Sequence, residues 1–295
     1  MRKGIWYAVI AYSIFGFFPL YWKLLGGVPA LQTVAHRILW SCVLLLAFVA
    51  ATGRWSELRS AVRLPRIVGL YAAAAFVITL NWFVYIWAVD AGFVVQAALG
   101  YFIHPLVSVL LGVVLLGERL RRAQWWAVGL AATGVIYLTV LYRTPPWIAL
   151  ALALSFAAYS LLKKRAPLDA LQGLSLETSV LALPALMFLV LENHAGRGAF
   201  GHAGPRLTLV MMGAGAVTSL PLLLFASAAR RIPLSLMGML QYINPSLQFL
   251  LGIFLFREPF TRAQFAGFAC VWAALVLFAG EGYVAISSSA DHAHN

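Results

Sequence analysis

LGYFIHPLVSVLLGVVLLGERLRRAQ (99–124) and MLQYINPSLQFLLGIFLFREPFTRAQ (239–264) align without a gap at an offset of 140 residues. Across 101–124 and 241–264, ten of 24 positions are identical: Ile103, Pro105, Leu110, Leu111, Gly112, Leu115, Glu118, Arg122, Ala123 and Gln124. Apolar composition alone would match the leucines, but not a proline, a glutamate, an arginine and a glutamine together. The register holds outward from here. Lys23 meets Lys163, Ala30-Leu31-Gln32 meets Ala170-Leu171-Gln172, and Pro65-Arg66 meets Pro205-Arg206. A duplicated module is the simplest cause.

Composition names the solvent of that module. Hydrophobic residues make up 63% of the chain, charged residues only 10%, and the mean hydropathy is +0.89, too apolar for a water-soluble domain. A helix crossing a hydrocarbon core of about 30 Å needs roughly 20 mostly apolar residues. Ten such stretches are expected, near 4–23, 33–52, 66–89, 93–116, 122–142, 146–163, 171–191, 206–228, 233–256 and 262–280. Their apolar runs are continuous, which excludes the alternating strands of a barrel and leaves helices. The reading is an all-α integral membrane protein with modules at 1–142 and 143–284 and a polar tail at 285–295.

Five spans per module is an odd number, so the second copy enters the membrane from the opposite side and the repeat is inverted. Charge agrees. Of the 21 Lys and Arg residues, 14 fall on the side of the N-terminus and seven on the other, and basic residues are retained in the cytoplasm. Both termini are therefore expected to be cytoplasmic. The net charge of +12 follows from loops anchored at anionic headgroups; no nucleic-acid motif accompanies it. Arg2-Lys3 before an apolar run resembles a signal peptide, but no small-residue cleavage site follows, so span 1 is expected to be retained. Cys42 and Cys270 fall inside spans, where thiols act as small buried hydrophobes, and suggest neither a disulfide nor a metal site. The glycine-rich segment 192–205 reads as an exposed loop.

Chemistry has to come from the few polar residues at membrane depth, which are expensive there and face a cavity or a partner. His36 and Arg37 lie just inside one end of span 2, and Glu177 takes the equivalent place in span 7. The two basic residues either snorkel to headgroups or attract an anionic or zwitterionic solute. Glu177 either pairs with Lys163, Lys164 or Arg165 or carries a coupling proton. Pro105 and Pro245 interrupt spans 4 and 9 at matched positions, and paired helix breaks mark transporter sites. They would bring Gln96, Tyr101 and His104 towards Gln241, Tyr242 and Asn244. Asn81 is an amide at mid-span that needs a partner. Lys23 and Lys163 read as matched gates, and Gly112 and Gly252 as points of close helix contact.

The stretches VPALQTVAHRILWS (28–41), NWFVYIWAV (81–89), LGYFIHPLVSVLLGVVLLGERL (99–120), TSLPLLLFASAARRIPLS (218–235) and LQYINPSLQFLLGIFLFREPF (240–260) together resemble the RarD (chloramphenicol-sensitivity) subgroup of EamA-type transporters in the drug/metabolite transporter superfamily. The resemblance spans essentially the whole chain. It implies a bacterial inner-membrane protein of ten helices, with two EamA repeats around a central pathway. His104 is a departure, since the subgroup carries Asn before that proline, as Asn244 does here. The subgroup is named for a drug phenotype and has no assigned cargo.

The expected function is a secondary transporter or exporter of small metabolites or drugs, anionic, zwitterionic or amphiphilic, working by alternating access. No GxxxxGK[ST] phosphate loop is present, and no cofactor is called for. A lipid or isoprenoid-carrier flippase is the alternative. A membrane enzyme would need clustered carboxylates or metal ligands at one face, whereas Asp90 and Glu118 fall on opposite sides. His36 and His104 stand behind Glu177 as proton carriers. Glu177→Gln is expected to abolish flux driven by a pH gradient while leaving the protein folded; unchanged proton-driven uptake in that variant overturns the assignment.

Overall fold

The computed structural model describes residues 1–91, 93–142, 147–255 and 261–291, and every regular element within them is a helix. Span 1 consists of α1 (Arg2–Gly16) and α2 (Phe18–Leu24), jointed at Phe17. Then follow α3 (Ala30–Ala51), the short α4 (Trp55–Val62), α5 (Pro65–Asp90), α6 (Val94–Leu116), α7 (Arg122–Tyr142), α8 (Trp147–Arg165), α9 (Ala170–His194) and α10 (Pro205–Ala229). Span 9 is divided into α11 (Leu234–Leu240), α12 (Ile243–Leu250) and a π-helical turn at Leu251–Leu255, and span 10 is α13 (Arg262–Asp291). Among the described residues, eight of these spans are long and apolar enough to cross a membrane, counting α1 and α2 as one. The broken span 9 and α13, with its apolar stretch Phe265–Phe278, bring the total to the expected ten.

Four pairs of helices begin exactly one repeat apart. Ala30 and Ala170, Pro65 and Pro205, Val94 and Leu234, and Arg122 and Arg262 each open a helix, and each pair differs by 140 residues. Proline suits the first of these positions, because its fixed φ is helical and its missing N–H has no partner in a first turn. Packing repeats with the sequence. α1 lies on α10 as α8 lies on α5; α3 meets α10 as α9 meets α5; α6 meets α8 as α12 meets α1; and α3 with α9, α6 with α11 and α7 with α13 pair equivalent spans directly. The residues just past the end of α3 bond to those at the start of α9 (Arg54 to Asp169), so equivalent spans run antiparallel. The two sets of five are inverted.

Helices in lipid associate through close backbone approach, and the contact faces carry small residues. Ala8 and Ala11 of α1 meet Ala228 and Ala229 of α10, and α8 presents Ala149, Ala153 and Ala157 at helical spacing, all fully buried. A glycine brings α3 and α10 close together. A Cβ at Gly215 would stand 2.4 Å from the Trp40 carbonyl carbon, and the Gly215 carbonyl accepts a hydrogen bond from Ser41 Oγ at 3.1 Å.

Two expectations change here. The prolines do not break their spans alike. α6 runs through Pro105 as one helix, whereas span 9 is interrupted at Gln241–Tyr242, just before Pro245. α6 tolerates its proline because the other half supports the backbone around it: Tyr242 Oη donates to the Phe102 carbonyl at 3.2 Å, and Gly238 lets α11 press against the Pro105 carbonyl. The segment after span 7 is also not simply an exposed loop. α9 continues to His194, and Phe200 folds back to stack on His36, with ring centroids 5.0 Å apart.

Gly215→Ala is expected to destabilise the protein by about 1–3 kcal/mol, as overpacking of a tight contact does. Thermal unfolding of the purified protein in detergent checks this, with Gly129→Ala, where an added Cβ meets nothing, as the neutral reference.

Candidate functional site

Two recesses, each about 20 Å³, occupy the middle of the molecule, space for about one water apiece. The first is bounded by Asn81, Tyr101, His104, Phe156 and Gln241; the second by Arg37, Ser41, Trp82, Tyr159, Glu177 and Thr218. Both draw on the two halves. Residues expected from sequence to share a pathway, Asn81, Tyr101, His104 and Gln241, do line one space.

Arg37 and Glu177 each sit seven residues into their helix, ~10 Å from opposite ends of the α3/α9 pair at 1.5 Å rise per residue. Arg37 does not snorkel outwards. Its guanidinium carbon stands 4.6 Å from the Trp22 ring and 4.5 Å from the Trp82 ring, and Nε donates to Thr218 Oγ1 at 3.0 Å. Tyr85 and Tyr101, whose rings meet edge-on at 5.9 Å, lie within electrostatic reach of it. Glu177 accepts from Lys163 Nζ at 2.8 Å and from Tyr159 Oη at 3.1 Å. This is a fully buried ion pair, with side-chain exposures of 3% and 2%. A carboxylate at that depth requires such partners.

The remaining polar groups divide between structure and cavity. Asn81 Nδ2 donates to the Leu152 carbonyl and to Ser155 Oγ, both at 2.9 Å, joining α5 to α8. His104 Nε2 lies 3.0 Å from Ser108 Oγ, its ring meets Phe156 at 4.7 Å, and Nδ1 has no partner among the described residues. Asn244 Oδ1 accepts from Gln248 Nε2 at 2.9 Å, and Tyr242, fully buried between α6 and α13, is a packing residue. Gln96 lies in α6 with its side chain outside the described residues. Lys23 and Lys163 are not alike: Lys163 is buried in its ion pair, and Lys23 is exposed at the rim of a cleft beside Arg206. Gly112 makes room for the Glu118 carboxylate, which accepts from the backbone N–H groups of Leu234 and Ser235 at 2.6 and 2.8 Å. That caps the start of α11 with negative charge. Among the described residues no group of His, Cys, Asp and Glu could hold a metal ion.

Sequence reasoning saw the repeated Ala-Leu-Gln but not its use. Gln32 bonds Glu192 at 3.4 Å, the Arg197 carbonyl at 2.7 Å and the Ala199 N–H at 3.0 Å, where Glu192 also pairs with Arg197. Gln172, one repeat later, donates to Glu57, itself paired with Arg54, which also bonds Asp169. Arg54 holds the Glu57 carboxyl below the usual carboxylate range. A polar latch therefore closes each end of the α3/α9 seam. Beyond the latches lie two wider, basic spaces on opposite faces: about 620 Å³ beside Arg54, Arg230 and Arg231, and about 430 Å³ beside Lys23 and Arg206.

Lys163→Met alone is expected to destabilise by about 3–5 kcal/mol, because it strands a buried carboxylate, whereas Lys163→Met with Glu177→Leu recovers most of the loss. Unfolding of the single and double variants in detergent tests the pair.

The model of the EamA-like transporter family matches residues 2–140 and again 145–280. A Streptomyces exfoliatus protein named "Protein RarD" is 46% identical over 94% of this chain and 88% of its own length. The Bacillus subtilis "Uncharacterized transporter YojE" is 46% identical over 94% and 93%. A solved crystal structure 21% identical superposes with a TM-score of 0.72 over 93% of this chain and 96% of its own, which bears on the fold alone. The chain is thus a multi-pass membrane transporter that belongs to the EamA-like transporter family, in its RarD subgroup.

Proposed function

We propose that the chain is a secondary transporter of a small solute in the bacterial inner membrane, with both termini in the cytoplasm, and that it works by alternating access between halves 1–142 and 143–284. One observation supports this most directly. Basic spaces of about 620 and 430 Å³ open on the two faces, while the two recesses between them among the described residues measure about 20 Å³ each. A solute site of ordinary size is several hundred Å³, so passage requires the seam to open on one side at a time. The latches at Gln32 and Gln172 are the contacts that such opening breaks. No nucleotide-binding motif supplies a chemical drive.

Glu177 is the carrier for coupling to protons. A proton on its carboxylate removes the partner of a buried ammonium, which cannot stay at that depth unpaired, so protonation of Glu177 drives Lys163 and the α8–α9 contact to rearrange. The flippase reading shares the membrane location and differs in its cargo.

Uptake into liposomes holding the purified protein tests the proposal, with amino acids, nucleotides, organic anions and amphenicol drugs offered with and without a pH gradient. Saturable accumulation of one class is expected. No flux of any solute, together with lipid scrambling in empty vesicles, overturns solute transport in favour of the flippase.

A further inference from the structure

The guanidinium of Arg37 is held as a receptor is held. Its carbon lies over the Trp22 and Trp82 rings at 4.6 and 4.5 Å, with the Phe18 ring at 6.0 Å, and Thr218 Oγ1 accepts from Nε at 3.0 Å. Arginine has five N–H donors, and Thr218 takes one. Among the described residues no acidic side chain lies within ion-pairing distance of Arg37, and no protein acceptor takes its Nη hydrogens. The residue is half-buried and lines the second recess.

Charge around the recesses does not balance. Lys163 and Glu177 cancel at 2.8 Å. Arg37 then leaves one positive charge in excess, or more, whatever the state of the His36 and His104 imidazoles. A lone cation at membrane depth is costly, and a forked donor with open Nη positions matches an oxyanion. The wider spaces on the two faces are also basic on balance, with Arg54, Arg230 and Arg231 against Asp169 at one and Lys23 and Arg206 at the other, which favours anions at both faces.

We infer that Arg37 binds the carboxylate, or a comparable single negative charge, of an organic solute whose flat or apolar body lies against Trp22, Trp82, Tyr85 and Tyr101. The inference rests on the transporter reading and names its substrate class. The aromatic surround supplies the apolar contact; Thr218 and the two indoles hold the fork in place before the solute arrives.

The test compares acids with their uncharged and cationic analogues: benzoate, phenylacetate and indole-3-acetate against the matching amides and amines. Binding to the detergent-purified protein is read by thermal unfolding and by tryptophan fluorescence, since Trp22 and Trp82 flank the site. Acids are expected to bind and the analogues not. Arg37→Gln should weaken acid binding by about tenfold or more, and Arg37→Lys by several-fold, because an ammonium keeps the charge and loses the fork. Equal response to acids and amides, no response to any acid, or acid binding unchanged in Arg37→Gln each overturns the inference. Should Arg37→Gln fail to fold, Thr218→Val, which releases Nε and keeps the charge, is expected to weaken the acids several-fold and leave the amides unmoved; unchanged acid binding there counts against the site. Arg37-dependent acid binding with no uptake of those acids into liposomes would remove the transport reading and leave the site. Uptake of neutral or cationic solutes that persists in Arg37→Gln would do the reverse.

Discussion

Hydrocarbon offers no hydrogen bonds, so each polar group at membrane depth must find its partner within the protein. In this chain the partner is repeatedly in the other half. Glu118 caps α11, Tyr242 supports the Phe102 carbonyl, Ser41 reaches Gly215, Asn81 reaches Leu152 and Ser155, and Arg37 reaches Thr218. Neither half could satisfy these groups alone. Of the polar contacts, only the latches at Gln32 and Gln172 recur one repeat apart; the others join the halves without a counterpart, so the symmetry of the contacts lies in how the helices pack.

That pattern also explains why the centre is polar yet closely packed. The buried ion pair, the amide of Asn81 and the imidazole of His104 all belong to helices that meet at small side chains, so little volume remains between them. Space sits at the faces instead. Polar latches at both ends, with a closely packed middle between them, give the molecule a closed α3/α9 seam.

Much of this was legible in the residues. The 140-residue register foretold the inversion, and it reappears in the starts of four helix pairs, although the expected span bounds missed most of those starts by one to three residues. The cost of a lone carboxylate in lipid pointed to a basic partner for Glu177 among Lys163, Lys164 and Arg165, and the structure selects Lys163. Three features were not legible. The partners of Arg37 come from α2, α5 and α10, far apart in sequence, so headgroup snorkelling could not be told from an interior site. Pro105 and Pro245 sit in like surroundings in sequence, but whether a helix bends or parts depends on what supports its backbone, here Tyr242 and Gly238. Phe200 lies in a glycine-rich segment that carries no periodic signal, and its place over His36 is set by tertiary packing alone.

The unlike treatment of the two prolines has a mechanical consequence. In span 9 the turn at Gln241–Tyr242 closes its own backbone bonds: Gln241 N–H to the Met237 and Gly238 carbonyls, Tyr242 N–H to Met239 and Asn244 N–H to Gln241. An articulation of this kind can flex without exposing an orphaned group to lipid. α6 is continuous through Pro105 and has no such joint. Two walls descended from one sequence therefore differ in where their backbone is interrupted, and the symmetry of the repeat does not extend to its joints.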